Sequence, residues 1–152
     1  MKKSLIISLL ISLGVGLLSS LITSGSMDIY KYLVKPSFAP PSIIFPIVWT
    51  ILYIFMGISA YLIFNSNSNK KSNALTIYGI QLVLNFIWPI LFFLLNYRLV
   101  SFIVIITLLI TIIIMLIKFY RINRLSAYLQ IPYLLWVIFA SYLNYGFYIL
   151  NR

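Results

Sequence analysis

Five long apolar stretches, each separated from the next by a short polar segment, dominate the hydrophobicity pattern of the chain. A transmembrane helix needs roughly 17–25 mainly apolar residues, and every stretch falls within that range. The predicted spans cover residues 4–23, 42–64, 74–96, 99–117 and 126–150. The pattern therefore predicts an all-α, polytopic membrane protein, a five-transmembrane-helix bundle that forms one domain over residues 1–152.

The first span contains a repeat of small residues. Lys2 and Lys3 before it also fit the start of a signal peptide, with residues 24–26 as a weak cleavage site, but four further spans favour a retained helix. Small side chains every four residues let helix backbones approach closely. We expect them to pack against a neighbouring span, and a dimer face is the alternative. The repeat consists of Ser8, Ser12, Gly16, Ser20 and Ser24.

The connection between the first two spans, residues 24–41, is long for a loop in a helix bundle, and long loops are often functional. Pro36, Pro40 and Pro41 exclude interior helix here, because proline fixes φ and lacks the backbone donor. A helix can begin at Pro41 or Pro46, since proline is tolerated in a first turn. Irregular backbone beside a bilayer must be buried or line a cavity, so we expect a stiff lid that roofs a pocket.

The amino-acid composition excludes most kinds of catalytic site. The chain is 63% hydrophobic and 8% charged, with no cysteine, no histidine and one acidic residue, Asp28. Thiolate and histidine metal sites, paired-carboxylate catalysis and histidine acid–base chemistry are therefore excluded. We expect no required cofactor and no metal site.

The net charge of +10 fits anionic lipid headgroups better than nucleic acid, because the basic residues are scattered over short loops. Lys2, Lys3, Lys70, Lys71, Lys118, Arg121 and Arg124 fall on one side of the predicted membrane. Lys31, Lys35, Arg98 and Arg152 fall on the other. The positive-inside rule then places the N-terminus inside and the first loop outside. The Ile-, Asn- and Lys-rich composition favours a bacterial cell membrane.

Three spans carry aromatic and amide side chains at helical spacing. Tryptophan can mark a headgroup belt, and amides can simply hydrogen-bond between helices. A further interpretation is an aromatic, amide-edged pocket, which suits a flat hydrophobic ligand better than an ion. The three faces are Trp49, Tyr53 and Met56; Gln81, Asn85, Trp88 and Phe92; and Trp136, Ala140, Leu143 and Asn144. Span four, nearly free of polar side chains, is expected to face lipid or simply pack.

Three ordered blocks of the sequence resemble the TspO/translocator-protein family. Together they cover nearly the whole chain, whereas spans one and four are generic. The blocks are residues 35–41 with Phe45, 48–53, Met56 and Gly57; residues 81–89 with Phe92 and Phe93; and Pro132, Tyr133, Trp136, Phe139, Ala140, Leu143 and Asn144.

The resemblance implies a homodimer with a ligand pocket closed by the first loop. It also implies binding of porphyrins such as protoporphyrin IX and haem, of isoquinoline carboxamides or, in the animal branch, of cholesterol. Phe38 stands where the family usually has tryptophan. The implied ligand-binding residues are Tyr30, Pro40, Trp49, Tyr53, Asn85, Trp88, Phe92, Trp136, Ala140 and Leu143.

Several functions remain open at this point. The leading hypothesis is a membrane receptor or sensor for tetrapyrroles or similar planar ligands. The alternatives are a light- and oxygen-dependent porphyrin-degrading enzyme, in which Trp49 and Trp136 would take part, and a passive carrier of tetrapyrrole or sterol-like lipids. Leu143, Tyr148 and Arg152 satisfy a loose cholesterol motif, which is a weak pattern.

Overall fold

A computed structural model describes residues 2–26 and 28–152, so Met27 of the first loop lies outside the described part. It contains five helical segments long and apolar enough to cross a membrane, which confirms the predicted all-α, five-span architecture. These segments are Lys2–Ser26, Ile44–Phe64, Lys71–Leu94, Arg98–Ile122 and Arg124–Leu150.

The described residues form seven α-helices and two short irregular helices, and one of the α-helices lies in the first loop, outside the five segments. A 3₁₀ turn, Ser24–Ser26, ends the first segment, and a π-helical turn, Ile90–Leu94, ends the third. The α-helices are α1 (Lys2–Thr23), α2 (Ile29–Tyr32), α3 (Ile44–Phe64), α4 (Lys71–Pro89), α5 (Arg98–Ile122), α6 (Arg124–Leu129) and α7 (Ile131–Leu150). Helix α2 interrupts the predicted loop and was not anticipated.

Helices α1 and α3 make a close backbone contact through small residues. The Ser8 hydroxyl donates to the Gly57 carbonyl at 2.6 Å, and the Ser12 hydroxyl donates to the Tyr53 carbonyl at 2.8 Å. A Cβ on Gly57 would lie 2.8 Å from side-chain atoms of Leu9 and Ser12. The small-residue repeat therefore packs within the chain over this half of α1, as predicted.

Pro89 ends the regular part of the third span. Because proline lacks an N–H and crowds the preceding turn, the helix continues from Ile90 as a π-helical turn, with the Leu95 N–H donating to the Ile90 carbonyl at 2.9 Å. The Ser19 hydroxyl of α1 reaches the Phe86 carbonyl of α4 at 3.5 Å. Neighbouring side chains supply such partners where a membrane helix is broken.

The fourth span is longer than predicted. Helix α5 runs to Ile122, so Lys118 and Arg121 lie on its last turns and not in a loop. Long basic side chains can remain helical at a membrane boundary because they extend their charged ends toward water. The Asn123 side chain then accepts from the Ser126 N–H at 3.2 Å and caps α6.

The fifth span is broken at Gln130, and its first piece packs against α3. Ser59 and Ser126 each donate a hydroxyl to the other's carbonyl at 2.7 Å. Beyond the break, the backbones of α3 and α7 make little contact. The two helices diverge toward the first loop and leave a wedge between them.

The proline segment, residues 35–41, is non-helical and lies against the end of α7. Helix α3 begins at Ile44 with Pro46 in its first turn, as predicted. Pro36 contacts Gly146, and the Tyr142 hydroxyl donates to the Ser37 carbonyl at 2.8 Å. These contacts hold the first loop against α7 and place it over one end of the bundle, which we call the first-loop end.

Candidate functional site

A chain of buried hydrogen bonds links three spans near the middle of the bundle. The Tyr53 hydroxyl donates to Asn85 Oδ1 at 2.7 Å, and Asn85 Nδ2 donates to the Tyr133 hydroxyl at 2.8 Å. The Tyr133 hydroxyl donates to Gln81 Oε1 at 2.7 Å. The predicted interhelical role of Gln81 and Asn85 is therefore confirmed.

Asn144 makes a second interhelical link nearer the first loop. Its Oδ1 accepts from the Trp88 indole N–H at 2.8 Å, and its Nδ2 donates to the Arg98 carbonyl at 2.9 Å. Trp88 is 5% exposed, so this hydrogen bond holds its ring in one orientation inside the bundle.

Aromatic rings fill the wedge between α3 and α7. Trp49 lies edge-to-face with Trp136 at a centroid distance of 6.5 Å and with Tyr133 at 6.2 Å. Phe45 lies 5.9 Å from Trp136 in the same geometry. Edge-to-face pairs at these distances are favourable, so side chains and not backbone contacts hold α3 against α7 here.

An open cavity lies on the other side of α3, where α1 diverges from α3 and α4. The space between atoms is about 810 Å³, including the part that opens to the outside. Its lining residues are Gly16, Ser19, Ser20, Thr23, Ser24, Phe45, Pro46, Trp49, Tyr53, Asn85, Trp88, Pro89 and Phe93. The part open to a water-sized molecule is about 250 Å³, slightly below the range of roughly 300–1,000 Å³ that is typical of small-molecule sites.

The cavity has aromatic walls, a polar inner end and a mouth near the first loop. Trp49 and Trp88 form the aromatic surface, and the hydrogen-bonded Tyr53 and Asn85 form the inner end. Ser20, Ser24 and Pro46 are exposed, which places the opening between α1 and α3. No charged side chain among the described residues lines it. Such a surface suits a planar, mainly apolar molecule.

The ten residues implied by the family resemblance fall into two groups. Trp49, Tyr53, Asn85 and Trp88 line the open cavity. The first-loop end of the interior leaves only about 10 Å³ open to a water-sized molecule, against about 250 Å³ in the open cavity. The residues around that filled interior include Tyr30, Phe92, Ala140 and Leu143.

The remaining two residues lie at the edges of these groups. Trp136 is half-buried in the wedge, in contact with Trp49, and does not line the open cavity. The Pro40 carbonyl accepts the hydroxyl of buried Tyr30. Whether all ten contact a ligand stays a prediction.

The proline segment does not line the open cavity. It covers the filled interior around Tyr30, so the expected lid closes a packed end of the bundle and the opening lies to its side. Phe38 is 89% exposed with a positive φ of 68°. Phe38 is not among the residues that line the open cavity, so the departure from the family's usual tryptophan falls outside it.

Tyr30 ties the first loop to the bundle. Its ring packs edge-to-face on Phe45 at 5.3 Å and against Phe147 at 5.4 Å, while Lys35 Nζ lies 5.2 Å from its centroid. Burial raises the pKa of the Tyr30 hydroxyl above its usual value of 10.0, because removal from water disfavours the charged form.

The contribution of α1 to the cavity was missed by sequence reasoning, which treated this helix as generic. Gly16, Ser19, Ser20, Thr23 and Ser24 form one entire wall. The signal was present, since three of them belong to the small-residue repeat, but that repeat was interpreted only as a packing surface. Small residues leave space as readily as they permit contact.

The loose cholesterol motif does not form one surface. Leu143 is 3% exposed within the bundle, whereas Tyr148 and Arg152 border a shallow depression with Arg98 and Asn151. A sterol ring that lay along Tyr148 and Arg152 would not reach Leu143 from the lipid side without a rearrangement.

Comparison with known proteins gives one consistent result. The profile of the TspO/MBR family matches residues 7–150. A tryptophan-rich protein TspO from Archaeoglobus fulgidus is 37% identical over 97% of this chain and 96% of its own length. The translocator protein of Sus scrofa is 32% identical over 88% of this chain and 81% of its own. A tryptophan-rich sensory protein from Cereibacter sphaeroides is 29% identical over 76% of this chain and 72% of its own.

Proposed function

The chain belongs to the TspO/MBR family of membrane proteins, and from this premise we propose that it is a membrane receptor or sensor for a flat hydrophobic ligand. The ligand class is a porphyrin such as protoporphyrin IX, and its site is the cavity between α1, α3 and α4. The names of two relatives, a sensory protein and a translocator protein, support a role in sensing or moving a ligand.

The observation that carries the proposal is the pairing of two indole rings in one open cavity. Trp49 and Trp88 come from different helices and both face the space. Aromatic rings bind other aromatic rings by offset stacking or edge-to-face contact, at about 0.5–1.5 kcal/mol per pair beyond the burial of area. A tetrapyrrole offers the largest such area for a cavity with few polar groups.

Charge at the mouth supports a ligand with acidic edges. The opening lies at the first-loop end, where Lys31 and Lys35 are exposed. A macrocycle inserted ring-first would leave its propionates at this end, near the lysines and the exposed hydroxyls of Ser20 and Ser24. The polar inner end at Tyr53 and Asn85 would meet a ring nitrogen or carbonyl.

Binding of a ligand in the first-loop pocket expected from the family resemblance would require a conformational change. Tyr30, Phe92, Ala140 and Leu143 surround almost no free space, so a ligand there would have to separate them. We infer that the open cavity receives the ligand first and that Trp49, which faces both the cavity and Trp136, is the residue through which binding reaches α7.

A steric variant tests the site. Ser20→Phe places a ring at the mouth, and Thr107→Phe places the same ring on an exposed position of α5, away from the cavity. Protoporphyrin IX would be titrated into each detergent-solubilised variant while tryptophan fluorescence is followed. We expect saturable quenching in the parent and in Thr107→Phe, and affinity at least about tenfold weaker in Ser20→Phe, since a blocked site loses most of its contact area.

Two results would overturn the proposal. One is equal affinity in Ser20→Phe and Thr107→Phe, which would place the porphyrin elsewhere. The other is quenching that rises without saturation in all variants, which would indicate partition into the micelle.

A further inference from the structure

A second groove lies between the same three helices at the opposite membrane surface. It encloses about 820 Å³ of space between atoms, including its open part. Its walls are mainly apolar and are formed by Ile7, Ile11, Ala60, Phe64, Leu75 and Leu82. The close contact of Ser12 with Tyr53 and Gly57 separates this groove from the cavity described above, so the two openings are distinct sites.

Basic residues surround the outer end of this groove. Lys2 and Lys3 directly precede Ser4, which lines it. On the other side, Lys71 Nζ donates to the Phe64 carbonyl at 3.1 Å and lies 5.4 Å from the Phe64 ring centroid. Lys71 is thereby held beside a residue of the groove wall. The outer end of the groove therefore lies at a membrane surface that carries these three lysines.

Tyr78 forms the inner end of the groove. Its side chain lines the space, but its hydroxyl is buried and lies beside the Ser12 side chain in the interior of the bundle. An occupant of the groove therefore meets mainly apolar side chains.

We propose that this groove binds an anionic phospholipid of the leaflet on the N-terminal side. One acyl chain lies along the apolar walls, which extend over about 10 Å between Ser4 and Ile11 at 1.5 Å per residue. The phosphate-bearing headgroup lies at the outer end of the groove, among Lys2, Lys3 and Lys71. Acidic headgroups are attracted to juxtamembrane lysines, and a groove within the bilayer is filled by lipid where no protein covers it.

Gly79 provides a variant that occupies the groove. It lines the space, and a Cβ at this position would have no atom within 4 Å. Gly79→Phe should therefore be accommodated and should exclude an acyl chain. Gly14→Phe is the matched control, because Gly14 is equally unobstructed and lines neither opening.

The experiment measures retained lipid by native mass spectrometry. Each variant is reconstituted in vesicles of phosphatidylcholine and phosphatidylglycerol at about 3:1 and released into mild detergent. We expect the parent and Gly14→Phe to retain one phosphatidylglycerol per chain, in preference to phosphatidylcholine. Retention of phosphatidylglycerol should fall at least about fivefold in Gly79→Phe, because the phenyl ring occupies the space of the acyl chain and removes most of its contacts.

Two results would overturn the proposal. The first is equal retention of phosphatidylglycerol in Gly79→Phe and Gly14→Phe. The second is a change in the dimer fraction of Gly79→Phe with retention unchanged, which would assign the groove to a second copy of the chain.

Charge variants keep the proposal testable if Gly79→Phe does not fold. Replacing Lys2 and Lys3 by Gln should reduce the preference for phosphatidylglycerol over phosphatidylcholine up to about 25-fold, because each lysine near the surface contributes on the order of a fivefold attraction. Replacing Lys31 and Lys35 by Gln removes the same charge from the opposite side and should leave the preference unchanged. The same reduction in both pairs would overturn the proposal, since it would show attraction to net charge alone.

Discussion

Pro36 lies directly on Gly146, so that a Cβ at position 146 would lie 2.5 Å from the Pro36 Cβ. The glycine of α7 thus provides the flat backbone on which the first loop rests. Two hydrogen bonds between Asn151 and the Val34 backbone, both at 2.8 Å, hold the loop on the same side. The part of the first loop from Val34 to Pro36 is therefore positioned by α7 and by Asn151, the residue that directly follows this helix.

Gly146→Ala should displace the loop from α7. The new methyl group has no space unless Pro36 moves, and overpacking of this kind costs about 1–3 kcal/mol. Because the loop is at the surface, we expect the cost to appear mainly as local opening. Limited trypsin digestion should cut after Lys31 several-fold faster than in the parent. Gly14→Ala, which meets no atom within 4 Å, should digest at the parental rate; equal acceleration in both variants would contradict the role of Pro36.

Asn85→Leu should destabilise the bundle because it removes an acceptor from Tyr53 and a donor to Tyr133. Interhelical hydrogen bonds in membranes contribute about 1–2 kcal/mol at most, and unpaired buried hydroxyls add to the cost. We expect a loss of about 1–2 kcal/mol in the free energy of unfolding, measured by denaturation in mixed micelles.

The Asn85 prediction has an internal control in Tyr53→Phe. If the Tyr53–Asn85 hydrogen bond is the interaction lost, Asn85→Leu in the Tyr53→Phe background should cost less than in the parent, as coupled residues do. Fully additive losses would show that the two side chains act independently.

Tyr30 should make the stability of the loop depend on alkaline pH. Its pKa is raised above 10.0 in the folded chain by burial, so the folded state keeps the proton at a pH where the unfolded state has lost it. Raising the pH above 10 then favours unfolding, and the stabilisation from the neutral hydroxyl is lost as the pH passes the raised pKa. Below pH 10 that stabilisation is fully present.

Thermal unfolding at about pH 8 and about pH 11 should detect this dependence. The parent should be more stable than Tyr30→Phe at the lower pH, since the variant lacks the hydrogen bond to the Pro40 carbonyl. The difference should shrink at the higher pH. Tyr32→Phe is the comparison, because the Tyr32 side chain is 85% exposed; a constant gap between the parent and Tyr30→Phe would refute the assignment.

Periodicity alone predicts the spans and their buried faces. Gln81, Asn85, Trp88 and Phe92 were placed on one helical face by spacing, and all four are buried. This agreement follows from physics, since an amide in a bilayer must find a partner inside the bundle. The proline segment and the start of α3 were likewise fixed by the geometry of proline.

The open cavity could not be predicted because it depends on how helices diverge. Ser12 and Ser20 belong to one repeat, yet Ser12 is fully buried against α3 and Ser20 is exposed at the mouth. The difference arises from the angle between α1 and α3. That angle depends on how the whole bundle packs and cannot be read from the sequence of either helix alone. The break at Gln130, in contrast, did have a signal in the sequence, since Pro132 lies in the first turn of α7, where proline is tolerated, whereas it ends a helix that precedes it.

The wedge between α3 and α7 has a consequence for how this bundle can move. It is filled by aromatic side chains, among them Trp49 and Trp136, each of which has only two side-chain torsion angles. A change of rotamer alone would therefore move one indole ring out of the wedge and admit a planar ligand, with no movement of either helix. A ligand that displaced Trp49 in this way would remove its contact with Trp136. Binding on the α1 side of α3 would thus change the surroundings of α7 through one side chain.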